Sequence, residues 1–291
     1  MSRPVIGIIQ SHVIQGYVGN SAGVPTIQLL GGDAVAVPTV IYSAHGATPG
    51  VKGAPVPGDV LAFSMQALMN LKPDYVVTGF MGTSANVDII AEQLSGYSDI
   101  PLMVDPIIGD SPKGCYIPEE VAQDIKKRLV PLAKVVTPNC FEAGYITGRQ
   151  INSMADVPQV VQDLLDMGPE YVLITSVLPG QGVLHNIAAT RDKTLVIETR
   201  LISGYVHGSG DMLNAALVTL LALDYPWEEA VALATAIVTL GVEAGLKQGM
   251  DTVDPFPAIC HEGYRWPLTK GQEEYFLAKA GITVKKLLPL L

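Results

Sequence analysis

The segment His207-Gly208-Ser209-Gly210-Asp211, followed at once by Met212-Leu213-Asn214-Ala215-Ala216-Leu217, carries the strongest structural signal in this chain. Its glycines permit open backbone angles that let several N–H groups point into one space. A helix that begins here has unpaired N–H groups in its first turn, at the positive end of its dipole. The segment therefore predicts a phosphate site at a helix start.

Asp211 has two interpretations. An aspartate repels an anion, so beside a phosphate site it makes chemical sense as a base that takes the proton of an attacking hydroxyl. An aspartate is also favoured at helix starts on capping and dipole grounds alone. The segment by itself does not decide between these interpretations.

Size and composition indicate a large α/β domain. The chain has 291 residues, of which 48% are hydrophobic and 16% charged, so one domain over residues 1–291 is expected. With 28 acidic and 18 basic residues, the net charge is -10, which argues against a nucleic-acid surface. Phosphates must then be bound locally, by backbone N–H groups, a few cations and a metal ion.

The cysteines and the apolar stretches of the sequence indicate the cellular location of the protein. Cys115, Cys140 and Cys260 form no CxxC and no zinc spacing, which favours reduced thiols and a cytoplasmic protein. The N-terminal residues lack the pattern of a signal peptide. The apolar stretches 215–223 and 230–242 are short and interrupted by Thr, so we expect buried helices rather than membrane spans.

Apolar, β-branched runs alternate with helical patterns along most of the chain. Strands are predicted at 5–10, 34–39, 75–79, 102–105, 135–137 and 171–175. Helices are predicted at 21–30, 59–71, 85–94, 119–129 and 156–167. This alternation is typical of a mostly parallel sheet covered by helices on both faces.

The second half of the chain and one long loop depart from this alternation. Segments 183–189 and 194–199 predict a late hairpin, and two helices follow from Asp211 and Trp227. The loop 43–58 is rich in Gly, Pro and Ala, and such loops are often lids or binding loops.

Polar residues follow most of the predicted strands, where parallel sheets bind ligands. They are Gln10-Ser11-His12, Thr39, Thr78-Gly79-Phe80, Asp105-Pro106, Thr137-Pro138-Asn139 and Thr175-Ser176. Together with Asp211 at its glycine-rich helix start, they predict a site along one edge of the sheet.

Several of these motifs belong to longer blocks. They are Gln10-Ser11-His12 with Gly16-Tyr17-Val18-Gly19-Asn20-Ser21-Ala22, Pro38-Thr39-Val40, Ser43-x-His45, Asp105-Pro106-x-x-Gly109-Asp110, Thr137-Pro138-Asn139-x-x-Glu142 and Gly208-Ser209-Gly210-Asp211. In order and spacing, to about residue 245, they resemble the ribokinase-like superfamily and, within it, the pyridoxal kinases. The resemblance implies a three-layer α/β fold with a central, mostly parallel sheet flanked by helices.

The resemblance also implies an activity, which is ATP-dependent phosphorylation of the 5′-hydroxymethyl group of pyridoxal to pyridoxal 5′-phosphate, in vitamin B6 salvage. Asp211 is then the catalytic base. The N–H groups near Gly208, Ser209 and Gly210 form the anion hole for the transferring γ-phosphoryl group. A tight turn before a buried helix is the alternative explanation of these glycines.

Asn139 and Glu142 lie three residues apart, on one face of a first helical turn. Mg²⁺ prefers oxygen ligands and keeps much of its water, and the charge argument requires this ion. The resemblance assigns the metal to Glu142 and Asp105. A helix cap with a capping box explains the Asn-x-x-Glu spacing equally well, and both can hold at once.

The remaining implications concern the nucleotide, further ions and assembly. The nucleotide-binding residues implied by the resemblance are Asp105, Asp110, Asn139, Thr175 and Ser176. A monovalent cation such as K⁺ and a homodimer are implied in the same way. Lys113, in the loop after Asp110, is either a phosphate-neutralising residue or a solvated loop lysine.

The resemblance places the substrate ring at Ser11, Thr39 and Phe80. Pyridoxal kinases commonly carry Tyr where Phe80 stands, so one polar contact is lost while the stacking surface is kept. His12 and His45 occur in the same blocks, but a lone histidine is more often structural, so neither is placed in the catalytic set.

Two other enzyme classes remain as alternatives. Hydroxymethylpyrimidine kinase shares the fold and acts on a similar alcohol, and Phe80 keeps this possibility open. The run Gly19-Asn20-Ser21-Ala22-Gly23 fits the G-x-S-x-G elbow of serine hydrolases, but only one strand precedes it. The sequence has no GxxxxGK[ST] motif, so a P-loop kinase is not supported.

Overall fold

The computed structural model describes residues 3–260 and 267–287. Its strands are β1 (Val5–Val13), β2 (Asp33–Tyr42), β3 (Gly53–Pro55), β4 (Tyr75–Thr78), β5 (Leu102–Val104), β6 (Gly109–Asp110), β7 (Gly114–Cys115), β8 (Val135–Val136), β9 (Tyr171–Gly180), β10 (Val183–Ala189), β11 (Thr194–Arg200) and β12 (Thr283–Lys286). Across the described residues, ten of them form one sheet in the order β12-β11-β10-β9-β8-β5-β4-β1-β2-β3. The strands from β9 to β2 in that order are parallel, whereas β3 and the β10–β12 extension pair antiparallel.

Helices cover both faces of this sheet. They are α1 (Asn20–Leu29), α2 (Gly58–Asn70), α3 (Ser84–Ser95), α4 (Glu119–Asp124), α5 (Cys140–Thr147), α6 (Val157–Asp166), α7 (Ser209–Ala222), α8 (Trp227–Lys247), α9 (Pro255–Ile259) and α10 (Lys270–Ala280). One apolar core lies between the sheet and helices α2 to α6, and a second between the sheet and α1, α7, α8, α9 and α10. The predicted three-layer α/β fold is confirmed.

The burial of each helix follows its sequence pattern. Helix α6 buries the apolar stripe that an amphipathic helix presents to a core, namely Val157, Val160, Val161, Leu164 and Leu165. Helix α7 is apolar on nearly every side, and each of its residues from Asp211 to Leu220 is buried. Such a helix fits only inside the protein, where α7 packs against α1 and α8. Its first turn is thereby fixed at the sheet edge.

Three local differences from the sequence expectations have clear causes. The predicted helix 119–129 is α-helical only to Asp124 and continues as a wider π turn, Ile125–Leu129. Strand β9 runs five residues past the predicted end at 175, because β10 pairs with it as an antiparallel partner. The loop 43–58 contains the short edge strand β3, which pairs with residues Val40 to Tyr42.

The longest helix is longer than its apolar stretch suggested. By length and composition alone, α8 is long and apolar enough to cross a membrane. However, 67% of its most apolar window is buried inside the protein, where it packs against α7 and α10. Its apolar character is accounted for by the core of the second helical layer.

Candidate active site

The candidate site is centred on the first turn of α7. Asp105 directly follows β5 and is buried, and its Oδ2 accepts a hydrogen bond of 2.7 Å from Asn214 Nδ2. A Cβ atom at Gly210 would lie 3.6 Å from the same carboxylate oxygen. The end of a central strand and the start of α7 therefore meet, as the parallel-sheet argument predicted.

Two glycines allow the loop after β1 to approach this point closely. Gly208 has a φ of 86°, and a Cβ atom there would lie 2.1 Å from the Tyr17 carbonyl oxygen. Gly19 has a φ of 57°, and a Cβ atom there would lie 2.2 Å from the Ser11 carbonyl oxygen. Neither position accepts a side chain, since the backbone angle and the contact both forbid it.

This close approach lets the Gly19 backbone N–H donate a hydrogen bond to Asp211. The Asp211 side chain is buried at the N-terminal end of α7. Burial raises the pKa of Asp211 above its usual range, and the Gly19 hydrogen bond partly offsets the rise. A carboxylate with a raised pKa is a better proton acceptor near neutral pH.

Asp105 lies in an environment of strong negative charge. Burial raises the pKa of Asp105 well above its usual range, and the nearby carboxylates of Glu142 and Asp211 raise it further. Hydrogen bonds from Asn214 and the Ile107 backbone act in the opposite direction. Three acidic side chains thus share one buried region, and a cation there would relieve their repulsion.

Asn139 and Glu142 form the capping box that the sequence left as one of two interpretations. Asn139 is the N-cap of α5, and its Oδ1 accepts from the Glu142 backbone N–H at 3.0 Å. Glu142 Oε2 accepts from the Asn139 N–H at 2.9 Å, and Oε1 accepts from Ile108 and Gly109 at 2.8 and 3.3 Å. Burial raises the pKa of Glu142 to about 7. Glu142 therefore anchors the loop after Asp105, and its ligation of a metal stays a prediction.

The other predicted nucleotide residues lie on neighbouring elements. Asp110 ends β6, and the Tyr116 side chain is hydrogen-bonded to it. The Thr175 N–H donates to the Pro138 carbonyl at 2.9 Å, which joins β9 to the start of α5. Ser176 is exposed, has a φ of 55°, and donates its N–H to the side-chain oxygen of Asn186.

The predicted substrate residues lie at the ends of β1, β2 and β4. Ser11 is buried near Gly19, and Phe80 is partly buried with its ring 6.4 Å from that of Tyr42. Thr39 is fully buried, and its hydroxyl donates to the Phe80 carbonyl oxygen at 2.6 Å. Thr39 thus fixes the backbone at Phe80, and its direct contact with a substrate stays a prediction.

The hydrolase alternative fails on local geometry. Ser21 lies in the first turn of α1, not at the sharp strand-to-helix turn that exposes the nucleophile of a G-x-S-x-G elbow. Its hydroxyl donates to the Val13 carbonyl oxygen at 2.6 Å, although His12 Nδ1 lies 3.4 Å away. Ser21 therefore holds the loop after β1 in place.

Residues 251–253 belong to the site, and the sequence did not reveal them. The His207 N–H donates to the Asp251 carbonyl, and the Val253 N–H donates to the His207 carbonyl. Thr252 Oγ1 accepts from the Tyr17 N–H at 3.2 Å. These contacts are mostly to backbone atoms, which leave no motif. Asn214 could have been identified from the sequence, because it lies three residues after Asp211 and therefore on the same face of the helix.

A buried base beside a cluster of helix N–H groups is suited to phosphoryl transfer to an alcohol, and its position in this three-layer fold defines a kinase of the ribokinase-like class. A family model described as phosphomethylpyrimidine kinase matches residues 15–255. The chain therefore belongs to this kinase family.

Curated relatives are named pyridoxal kinase. The Arabidopsis thaliana protein is 36% identical over 223 residues, which are 72% of each chain. The Homo sapiens protein is 34% identical over 234 residues, which are 72% of this chain and 75% of the human one.

Solved structures confirm the fold. Pyridoxal kinase from Entamoeba histolytica has a TM-score of 0.82 at 23% identity and covers 99% of this chain and 100% of its own. Pyridoxal kinase from Staphylococcus aureus in complex with ADP has a TM-score of 0.82 at 22% identity, with the same coverage.

Proposed function

We propose that this kinase transfers the γ-phosphoryl group of ATP to the 5′-hydroxymethyl group of pyridoxal, giving pyridoxal 5′-phosphate. The observation that carries the proposal is the buried Asp211 carboxylate, held by the Gly19 N–H at the glycine-rich start of α7. The relatives named pyridoxal kinase support the identity of the alcohol. A solved relative in complex with ADP supports ATP as the phosphoryl donor.

Different residues of the site supply the proton acceptor and the stabilisation of charge. Asp211 accepts the proton of the substrate hydroxyl as the oxygen attacks the γ-phosphorus, and the bond from that phosphorus to the β–γ bridging oxygen breaks to release ADP. The N–H groups at Gly208 to Gly210 stabilise the charge on the transferring group from the positive end of α7. Because phosphoryl transfer passes through a loose transition state, positioning and charge stabilisation account for most of the catalysis.

The donor set fits Mg²⁺ held jointly with the nucleotide. Asp105 and Glu142 offer carboxylate oxygens, which Mg²⁺ prefers, in a region where burial and then mutual repulsion raise the pKa of Asp105. In the described ranges, no three His, Cys, Asp or Glu side chains, Asp105, Glu142 and Asp211 included, lie close enough together to hold a metal ion by themselves. The remaining ligands would therefore be phosphate oxygens and water, and the ion would neutralise the phosphate charge. A monovalent cation is an expectation of the resemblance alone.

We also propose that the chain acts as one domain, in the cytoplasm, as a homodimer. The resemblance carries the homodimer, and large apolar side chains such as Ile14, 72% exposed, and Phe63, 68% exposed, are accessible to a second copy. Light scattering at micromolar concentration tests the dimer. A monomeric mass would contradict it.

Phosphorylation of the pyrimidine alcohol is the second candidate function. The family model that matches most of the chain carries the description phosphomethylpyrimidine kinase. Phe80 also lacks the hydroxyl that pyridoxal kinases commonly carry at that position. The two candidates share the phosphoryl-transfer residues and differ only in the ring that the pocket accepts.

One experiment separates the candidates. ATP-dependent product formation with Mg²⁺ is measured side by side for pyridoxal, pyridoxine, pyridoxamine and hydroxymethylpyrimidine, with Asp211→Asn as the inactive control. Turnover of pyridoxal well above the pyrimidine supports the proposal. Preference for the pyrimidine supports the second candidate, and no turnover of any alcohol contradicts both.

A further inference from the structure

Helix α7 contains a buried amide to which the proposed chemistry assigns no role. Asn214 is 4% exposed, and its neighbours in the helix, Leu213, Ala215 and Ala216, are buried apolar residues. The Asn214 Nδ2 donates to Asp105 Oδ2 at 2.7 Å. The Asn214 Oδ1 is buried and has no hydrogen-bond partner among the described residues. One end of this amide is therefore paired and the other is not.

The unpaired oxygen indicates that the amide does not serve the packing of α7. A buried polar atom without a partner costs free energy, and an apolar side chain of similar size would avoid that cost. A carboxylate only accepts hydrogen bonds, so the NH₂ group of Asn214 must face Asp105 and the oxygen must face away. The contact with Asp105 is thus the one hydrogen bond that the amide makes within the described part of the chain.

The Asp105 carboxylate is held by donors from two different elements. One donor is Asn214, on the buried helix α7. The other is the backbone N–H of Ile107, in the loop that follows β5. A carboxylate that accepts from both a helix and its own loop cannot turn freely, so its orientation is fixed relative to α7.

Helix α7 also carries the proposed base. Asn214 and Asp211 lie three residues apart and therefore on the same face of the helix. The carboxylates of Asp211 and Asp105 are close enough to repel each other. The donor from Asn214 therefore holds a carboxylate proposed to bind Mg²⁺ against the same rigid element that holds the base.

We propose that Asn214 is a positioning residue, whose NH₂ group orients the Asp105 carboxylate for a divalent cation bound together with the nucleotide. Groups that hydrogen-bond to a metal-binding carboxylate orient it, and their removal commonly weakens metal affinity by about 10- to 100-fold. The inference rests on the proposed function, which places Mg²⁺ at Asp105. It assigns Asn214 no contact with the alcohol.

The test measures how much a divalent cation strengthens nucleotide binding. The dissociation constant of ADP is determined by calorimetry on the whole protein, once with saturating Mn²⁺ as a substitute for Mg²⁺ and once in EDTA. The ratio of the two constants is the metal effect. Asn214→Leu removes the donor with little change in volume and should lower the metal effect by about tenfold. It should leave the metal-free affinity for ADP within about twofold of wild type, because its role concerns the cation.

Two further variants control for damage to the helix. Asn214→Ala removes the donor without adding bulk, and it should act in the same direction as Asn214→Leu. Thr219→Val is the matched control, because Thr219 is also buried in α7 and its hydroxyl donates only within the helix, to the Ala215 carbonyl oxygen at 2.6 Å. This variant should leave the metal effect unchanged.

A double-mutant cycle tests whether Asn214 acts through Asp105. In the Asp105→Asn background the carboxylate is absent, so adding Asn214→Leu should change the metal effect by less than about twofold. A full tenfold loss in that background would show that Asn214 acts by another route, and the inference would be wrong.

The other outcomes separate this inference from the proposed function. If Asn214→Leu weakens ADP binding equally with and without Mn²⁺, or leaves the metal effect unchanged, Asn214 has a purely structural role and the inference is wrong while the kinase proposal stands. If Mn²⁺ does not strengthen ADP binding to the wild-type protein and no alcohol is phosphorylated, the proposed function fails, and the inference fails with it.

Discussion

The substitution Glu142→Gln tests how a buried carboxyl group anchors the loop after Asp105. Burial raises the pKa of Glu142 from 4.5 to about 7. A carboxyl group whose pKa is higher in the folded than in the unfolded protein loses stability as the pH rises between the two values. Each pKa unit corresponds to about 1.4 kcal/mol. Between pH 5.5 and pH 8.5 the charge on Glu142 should therefore cost wild-type stability about 2 kcal/mol.

Glutamine does not titrate, so the variant escapes this loss. Its amide oxygen can still accept from the backbone N–H groups of Ile108 and Gly109, but its NH₂ group faces the Asn139 N–H. One buried donor is then unpaired, which costs about 1–3 kcal/mol at every pH. We expect the variant to be clearly less stable than wild type at pH 5.5 and close to it at pH 8.5.

The assay is urea unfolding of both proteins at the two pH values, followed by tryptophan fluorescence and circular dichroism. The decisive quantity is the change with pH in the difference between the two free energies of unfolding, because titrations elsewhere cancel in it. A change of about 2 kcal/mol is expected. A difference that is the same at both pH values would refute the reasoning, because Glu142 would then have an ordinary pKa.

Three further predictions concern the start of α7. Asp211→Asn should lower kcat by about 10²-fold or more, while the nucleotide affinity measured by calorimetry changes only a few-fold. Turnover within a few-fold of wild type would show that Asp211 is not the base. Gly208→Ala should lower the melting temperature far more than Gly249→Ala does. Both residues have positive φ, but only at Gly208 would the added Cβ lie 2.1 Å from a backbone oxygen. Equal decreases in melting temperature would contradict this close contact. Asn214→Ala removes the hydrogen bond that lowers the pKa of Asp105. The acidic limb of the plot of kcat/KM against pH should therefore move to higher pH. If that limb does not move, catalysis does not require Asp105 to ionise.

Much of the sheet could be predicted from the sequence because its central strands are buried on both faces. Strand β4 is buried along its whole length and appears in the sequence as a continuous apolar run. Strand β3 has only three residues, Gly53–Pro55, all of them exposed, so it has no apolar pattern to detect. The π turn at Ile125–Leu129 retains a helical spacing of apolar residues and was not distinguishable from an α-helix.

The parts of the candidate site that are built from side chains could be predicted from the sequence, whereas the parts that are built from backbone contacts could not. Asp211 and the Asn139–Glu142 pair have characteristic spacings and lie where the motifs implied. The contacts of residues 251–253 run largely through backbone atoms, which any sequence can supply. The pairing of His45 with Asp251 joins residues 206 positions apart, and no local pattern reports a contact over that distance.

The hydrogen bond between Tyr17 and Thr252 spans 235 positions of the chain. During synthesis, β1 and its loop leave the ribosome long before residues 251–253 do. A nascent chain can therefore complete most of the parallel sheet while the segment that braces the start of α7 is still missing. Resistance to proteolysis should then precede catalytic competence in a translation time course, and the phosphate site is among the last parts of the molecule to mature.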